Sequence, residues 1–145
     1  MAGTDIATLE ALYASLSAGQ RRKLMRGIIT DVRREQLKRI ASQRDPEGNK
    51  FAPRAPAQKR ADQKRGPMFP RLRLIKHTLI KANENEGVMG FKGRTERIAA
   101  AHQFGKMDVP RKGWRPVRYP VRELLGISAH TERIVMAAVE THLLK

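Results

Sequence analysis

Two signals bracket the longest patterned stretch of the chain, a capping signature at Ser17-Ala18-Gly19-Gln20 and a stop at Asp45-Pro46. A Ser at an N-cap can accept from the backbone amide three residues on, while the Gln at that third position reaches back to the amide of the Ser. Proline has no N–H to donate, and it pushes the residue before it out of the helical region. Between the two, Leu24, Met25, Ile28, Ile29, Val32, Leu37 and Ile40 keep a helical period. Arg21, Arg22, Arg26, Arg33, Arg34 and Lys38 take much of the remaining surface. The pattern predicts one helix from Ala18 to Gln43, close to 40 Å long at about 1.5 Å per residue. Any fold for this chain has to be built along it.

Around that helix the patterns are shorter. Leu9, Leu12, Tyr13 and Leu16 form the apolar stripe of a small helix, with Thr4 as the expected N-cap and Asp5 in its first turn. Met68 to His77 predicts another short helix if Pro70 lies in the first turn. Thr78–Ala82 and Gly87–Phe91 flank the polar spacer Asn83-Glu84-Asn85-Glu86 and read as a β-hairpin. Arg94 to Phe104 predicts a helix with Ile98, Ala101 and His102 on one face and Gly105 as its cap. Met107 to Pro116 reads as an irregular basic loop, and Arg118 to Arg122 as a short edge strand, where proline is tolerated. Ser128 opens a last helix through Ile134, Val135, Ala138, Val139 and Leu143. The expected fold class is α+β: a long amphipathic helix near the N-terminus, packed with further helices on a small antiparallel sheet, with extended basic loops. At 145 residues one domain is expected.

Charge is the strongest global signal. The net charge is +16, and it is uneven: residues 21–45 carry +6 and 46–77 carry +7, whereas 1–20 carry −2 and 128–145 carry zero. Such an excess repels itself and normally meets polyanions or acidic protein surfaces. The segment 46–66, rich in Pro, Lys, Arg and Gln, has almost nothing to bury and reads as an extended basic arm. No stretch approaches the roughly 18 to 20 apolar residues of a membrane span, and MAGTDIATLE lacks the features of a signal peptide. With no Cys there is neither a disulfide framework nor a thiolate zinc site. Synthesis in the cytoplasm is expected.

The chain offers little for catalysis. Its four His residues, 77, 102, 130 and 142, show no metal-site spacing, and no pair of carboxylates stands apart from Lys or Arg. The glycine-rich run Gly87 to Gly93 lacks the Lys-Ser/Thr pair of a phosphate-binding loop. No enzyme, metal or cofactor is expected. Non-specific binding of nucleic acid stays open as an alternative, since a basic helix and arm could neutralise several phosphates. Zinc-finger and RNA-recognition signatures are absent.

Four stretches taken in order carry a resemblance: RIASQRDPEGNKFAPR (39–54), MFPRLR (68–73), RIAAAHQFG (97–105) and YPVRELLGIS (119–128). Together they resemble the virion morphogenesis, or tail completion, family of contractile-tailed temperate phages, the S-type proteins related to the Mu virion morphogenesis protein. Phe104 departs from that pattern, where many members carry Tyr. The resemblance implies a structural protein of the virion, made in the host cytoplasm, that acts late at the head-proximal end of the tail and enables head–tail joining. By analogy with tail terminators it implies a ring of subunits, six in number. The implied partners are other copies of the chain, the tail tube, sheath or neck, and non-specifically the DNA in the channel, with no membrane.

On this reading Arg54, Lys59, Arg60, Lys64 and Arg65 of the arm are candidates for contact with a polyanion or an acidic partner. Arg118 and Arg122, with Tyr119, are candidates to shape a second contact surface. Phe51, Met68, Phe69 and Leu72 are expected to anchor the arm where it leaves and rejoins the core. His102, Gln103, Phe104 and Gly105 are expected to form a helix end packed on the hairpin, or else a subunit contact.

Overall fold

Ser17 and Gln20 cap the long helix reciprocally, as their spacing predicts. The Ser17 amide donates to Gln20 Oε1 at 2.8 Å and the Gln20 amide to Ser17 Oγ at 3.2 Å. A computed structural model describes residues 5–54, 66–110 and 112–144. Its elements are α1 (Ile6–Ala14), α2 (Ala18–Ala41), a 3₁₀ turn (Ile75–His77), β1 (Thr78–Ala82), β2 (Gly87–Phe91), α3 (Arg94–Phe104), β3 (Met107–Asp108), β4 (Val117–Arg118) and α4 (Ala129–Leu143). The two sheets are two-stranded, β1 with β2 and β3 with β4. The fold is α+β.

Three expectations need correction. Asp5, not Thr4, caps α1, its carboxylate accepting from the Thr8 amide at 2.7 Å; Thr4 lies outside the described residues. Met68 to His77 is no α-helix. Phe69 stands in the left-handed region at φ 64°, Pro70 has no amide to give, and only the single turn Ile75–His77 is helical. The strand expected over 118–122 pairs only at Val117 and Arg118, opposite Asp108 and Met107.

The residues divide into two compact units. The first comprises Met1–Glu35, Ile80–Gly90 and Ala129–Lys145. Here α1 packs with α4, and Leu9, Leu24, Ile29 and Ala138 are buried. The buried hydroxyl of Thr131 donates to the carboxylate of Glu35 at 3.3 and 3.4 Å. The hairpin turn is made by Asn83, whose side chain accepts from the amides of Asn85 and Glu86. Gly87 lets this hairpin close on α2, since a Cβ there would stand 2.9 Å from Ile29 Cβ.

The second unit comprises Gln36–Leu79 and Phe91–Ser128. Its core is Leu37, Ile40, Phe51, Phe69, Leu72, Phe91, Ala99 and Leu124, with Met68 and Leu125 packed against it. Leu124 belongs to a stretch without regular structure, yet it is fully buried. Side chains take the place of a partner strand there. Arg39 donates to the Leu124 carbonyl at 2.6 Å, and Gln36 both donates to and accepts from the backbone of Gly126 at 3.1 Å. Gln103 accepts from the Leu124 and Leu125 amides at 2.8 and 3.0 Å and donates to the Leu125 carbonyl at 2.9 Å. Buried backbone groups need partners of some kind, and these amides and a guanidinium supply them.

Candidate functional site

The second unit holds both ends of the basic segment in one knot of side chains. It begins at the end of α2, where the Arg44 amide reaches the Arg39 carbonyl and the Gln43 amide reaches that of Ile40. This is the Schellman pattern, which places the residue at Gln43 in the left-handed region. Gly usually stands there, but Gln43 does so here at φ 63°. Its side chain accounts for the choice. The amide accepts from the Met68 N–H at 2.8 Å and donates to the Met68 carbonyl at 2.9 Å, while the Gln43 carbonyl accepts from the Phe51 N–H at 2.9 Å. One residue therefore grips the chain on both sides of the segment. Sequence reasoning missed it, because a left-handed glutamine has no pattern to announce it.

The anchors expected from the sequence lie around this grip. Phe51, Phe69 and Leu72 are buried and Met68 packs on the same core. The rings of Phe51 and Phe69 meet edge to face at 5.4 Å between centroids. Arg54 closes the segment from outside, donating to the Gly66 carbonyl at 2.9 Å. The first residues of the expected arm are folded, a departure from the reading that began it at Pro46. Pro46 is buried, the Asp45 amide donates to the Asn49 carbonyl, and Asp45 Oδ1 accepts from the Asn49 amide at 2.9 Å. Asp45, Gly48 and Asn49 are turn formers, so this turn was readable. Lys59, Arg60, Lys64 and Arg65 lie outside the described residues.

Arg122 is the largest correction. Expected at a contact surface, it is only 4% exposed. Its guanidinium donates to the carbonyls of Ala52 at 2.7 Å and Pro53 at 2.8 Å and lies 3.0 Å from His102 Nδ1. It is a clamp on the chain entering the basic segment, not a free cation. Burial, with Arg54 nearby, pulls its pKa below the usual guanidinium value. Burial first, and then the charge of Arg122, push the His102 imidazole down to about 4. The His102 ring also lies 4.8 Å from that of Phe69 and 4.6 Å from that of Tyr119.

The motif 102–105 was expected to pack on the hairpin, but its bonds go elsewhere. The His102 carbonyl accepts from the Arg122 amide at 2.8 Å, and Gln103 holds Leu124 and Leu125. Phe104 is mostly open to solvent, 66% exposed. Gly105 caps α3 at φ 63°, where a Cβ would stand 2.9 Å from Val121 Cγ2. Ile98, expected on the inner face of α3, is exposed, and Thr95, Ala99 and Ala101 are the buried positions. Arg118 stays exposed and donates to the Gly105 carbonyl at 3.2 Å.

From the first turn of α3, Arg97 grips Asp108 through two bonds, of 3.1 and 2.6 Å, and holds its carboxyl below the usual carboxylate range. Among the described residues no group of His, Asp or Glu could hold a metal ion, and no helix is long and apolar enough to cross a membrane. The described geometry is that of two chain ends, at Arg54 and Gly66, held together by side chains of one core.

Residues 6–144 match the model of the phage virion morphogenesis family. Over 138 residues the chain is 30% identical to tail completion protein S of Escherichia phage P2, covering 93% of this chain and 92% of that protein. No solved structure matches it.

Proposed function

Because the chain belongs to the phage virion morphogenesis family, we propose that it is a non-enzymatic tail completion protein. It acts at the head-proximal end of the tail, and there it makes the tail competent to join a head. The observation that carries this reading is the reach of the match, which runs across both compact units rather than over one shared motif. The copies form a ring on the tail end, six in number by analogy with tail terminators, through contacts between unlike surfaces. The basic segment between Arg54 and Gly66 then reaches an acidic surface on a neighbouring copy, the tail tube, the sheath or the neck. The knot of Gln43, Phe51, Phe69 and Arg122 supports this role by fixing where the segment leaves and rejoins the fold. Non-specific contact with DNA in the channel is a lesser use of the same charge.

The test is one of place. Labelled antibody, or density for this chain, is sought on intact particles and on isolated tails. Signal confined to the head-proximal end supports the reading. Signal along the whole tail, or none on either sample, overturns it.

A further inference from the structure

Within the second unit, the turn that carries the chain from Phe69 into β1 holds a basic surface that the fold leaves unused. From Gln63 to Asn83 there is no Asp or Glu. Phe69, Leu72 and Thr78 are buried, while Arg71 and the unbroken run from Arg73 to Lys76 are exposed. The backbone of this stretch is closely held. The Leu74 amide donates to the Arg71 carbonyl at 3.0 Å, the His77 amide to that of Leu74 at 3.1 Å, and the Thr78 hydroxyl to that of Ile75 at 2.7 Å. The His77 carbonyl accepts from the Lys92 amide at 3.0 Å and lies 3.3 Å from the hydroxyl of buried Thr95. These bonds bring the start of α3, with exposed Lys92 and Arg94, beside Lys76.

Among the described residues Arg71, Arg73, Lys76, Lys92 and Arg94 make no ion pair and no side-chain hydrogen bond. The nearest carboxylate along the chain from Arg94 is Glu96, which lines a groove with Arg97, Lys106 and Asp108 instead. Amid these cations stand two bare aliphatic side chains, Leu74 at 41% exposure and Ile75 at 61%. That mixture narrows the partner. A phosphate backbone would answer the charges but give Leu74 and Ile75 nothing to pack on. A second copy carries the same net charge of +16 and is repelled. An apolar centre with a charged rim is the anatomy of a protein interface, and the complement here is an acidic surface with an apolar hollow.

We propose that this knob, with Leu74 and Ile75 amid Arg71, Arg73, Lys76, Lys92 and Arg94, docks on an acidic segment of a different tail or neck protein. Apolar side chains of the partner cover the two aliphatic residues, and its carboxylates meet the cations. The inference rests on the tail completion reading and deepens it by placing a partner contact on the folded core, apart from the basic segment between Arg54 and Gly66. The bonds above hold the knob in place beforehand, so docking has little backbone left to order.

The test uses the full-length chain added to tails made without it, with and without heads. The variant Ile75→p-benzoylphenylalanine is bound and irradiated, and its adducts are digested and identified. Crosslinking to one acidic peptide of a different tail or neck protein is expected. Leu74→Ser/Ile75→Ser and Arg73→Glu/Lys76→Glu are each expected to weaken binding to the tails about tenfold, the scale of one lost apolar or charged contact. Their thermal melts should stay near that of the parent. Adducts to DNA or to a second copy overturn the proposal, as do folded variants that bind as tightly as the parent; either result leaves the tail completion reading standing. A parent chain that binds neither preparation overturns that reading, and the proposal with it.

Discussion

Nη1 of Arg122 stands 3.0 Å from Nδ1 of His102, so the imidazole must accept there and carry its proton on Nε2. A guanidinium has donors only. Protonating Nδ1 would set two cations against each other in a half-buried place.

Acid should therefore weaken the fold through this histidine. Its folded pKa is about 4, below the ordinary 6.5, so between those values the unfolded chain binds more protons. The stability is fully present above pH 6.5 and is lost as pH falls to about 4, a change on the order of 3 kcal/mol. Urea denaturation at pH 7.5 and 4.5 measures it, with His102→Gln as the comparison. The variant should lose most of the difference between the two pH values, and an equal difference in both proteins contradicts the account.

Arg122→Lys should destabilise despite keeping the charge. A lysine cannot span the carbonyls of Ala52 and Pro53 together with His102, and it leaves buried acceptors without donors. A loss of about 2 to 4 kcal/mol is expected. The same change at exposed Arg118 should stay within about 0.5 kcal/mol. Equal effects at the two positions would sink the distinction drawn between them.

Gln43 is held in the left-handed region by what its amide does. Gln43→Gly removes the amide but fits the backbone, while Gln43→Ala removes the amide and keeps the strain. Both should lower stability, and the alanine variant should be the worse by about 1 kcal/mol. Thermal melts of the three proteins decide it, and the reverse order would place the role of Gln43 in something other than its backbone.

Reversing two charges of the basic segment should separate function from folding. Lys59→Glu with Arg60→Glu is expected to block head–tail joining in a complementation assay while the purified chain melts within about 1 °C of the parent. Particles that assemble normally with this pair would remove the segment from the joining step.

The elements that announced themselves did so through short-range chemistry. The Ser17–Gln20 box, the hairpin around Asn83 and the cap at Gly105 each depend on residues a few positions apart, so the chain displays them. What stayed hidden depends on distance. Arg122 reads as a surface cation because nothing near it in sequence reveals the carbonyls it meets some seventy residues earlier. Phe104 reads as a packing residue because most aromatic rings are buried, yet this one is left outside. The bonds of Gln36, Arg39 and Gln103 to the stretch 124–126 mimic a sheet ladder without a strand, so period-two patterning could not find them. For the candidate site, the burial of Phe51, Phe69 and Leu72 was legible from apolar residues flanking a polar run, and the contacts of Arg122 with Ala52 and Pro53 were not.

The grip of Gln43 and Arg54 on the two ends of one segment has an evolutionary reading. Once the ends are fixed by bonds of their own, the length between them is only weakly coupled to the fold. Doubling a loop adds only about 0.6 kcal/mol of closure entropy. Insertions, deletions and exchanges between Arg54 and Gly66 can then drift or be swapped among relatives without remaking the core. Selection could then act on the sequence between Arg54 and Gly66 separately from the frame that holds its two ends.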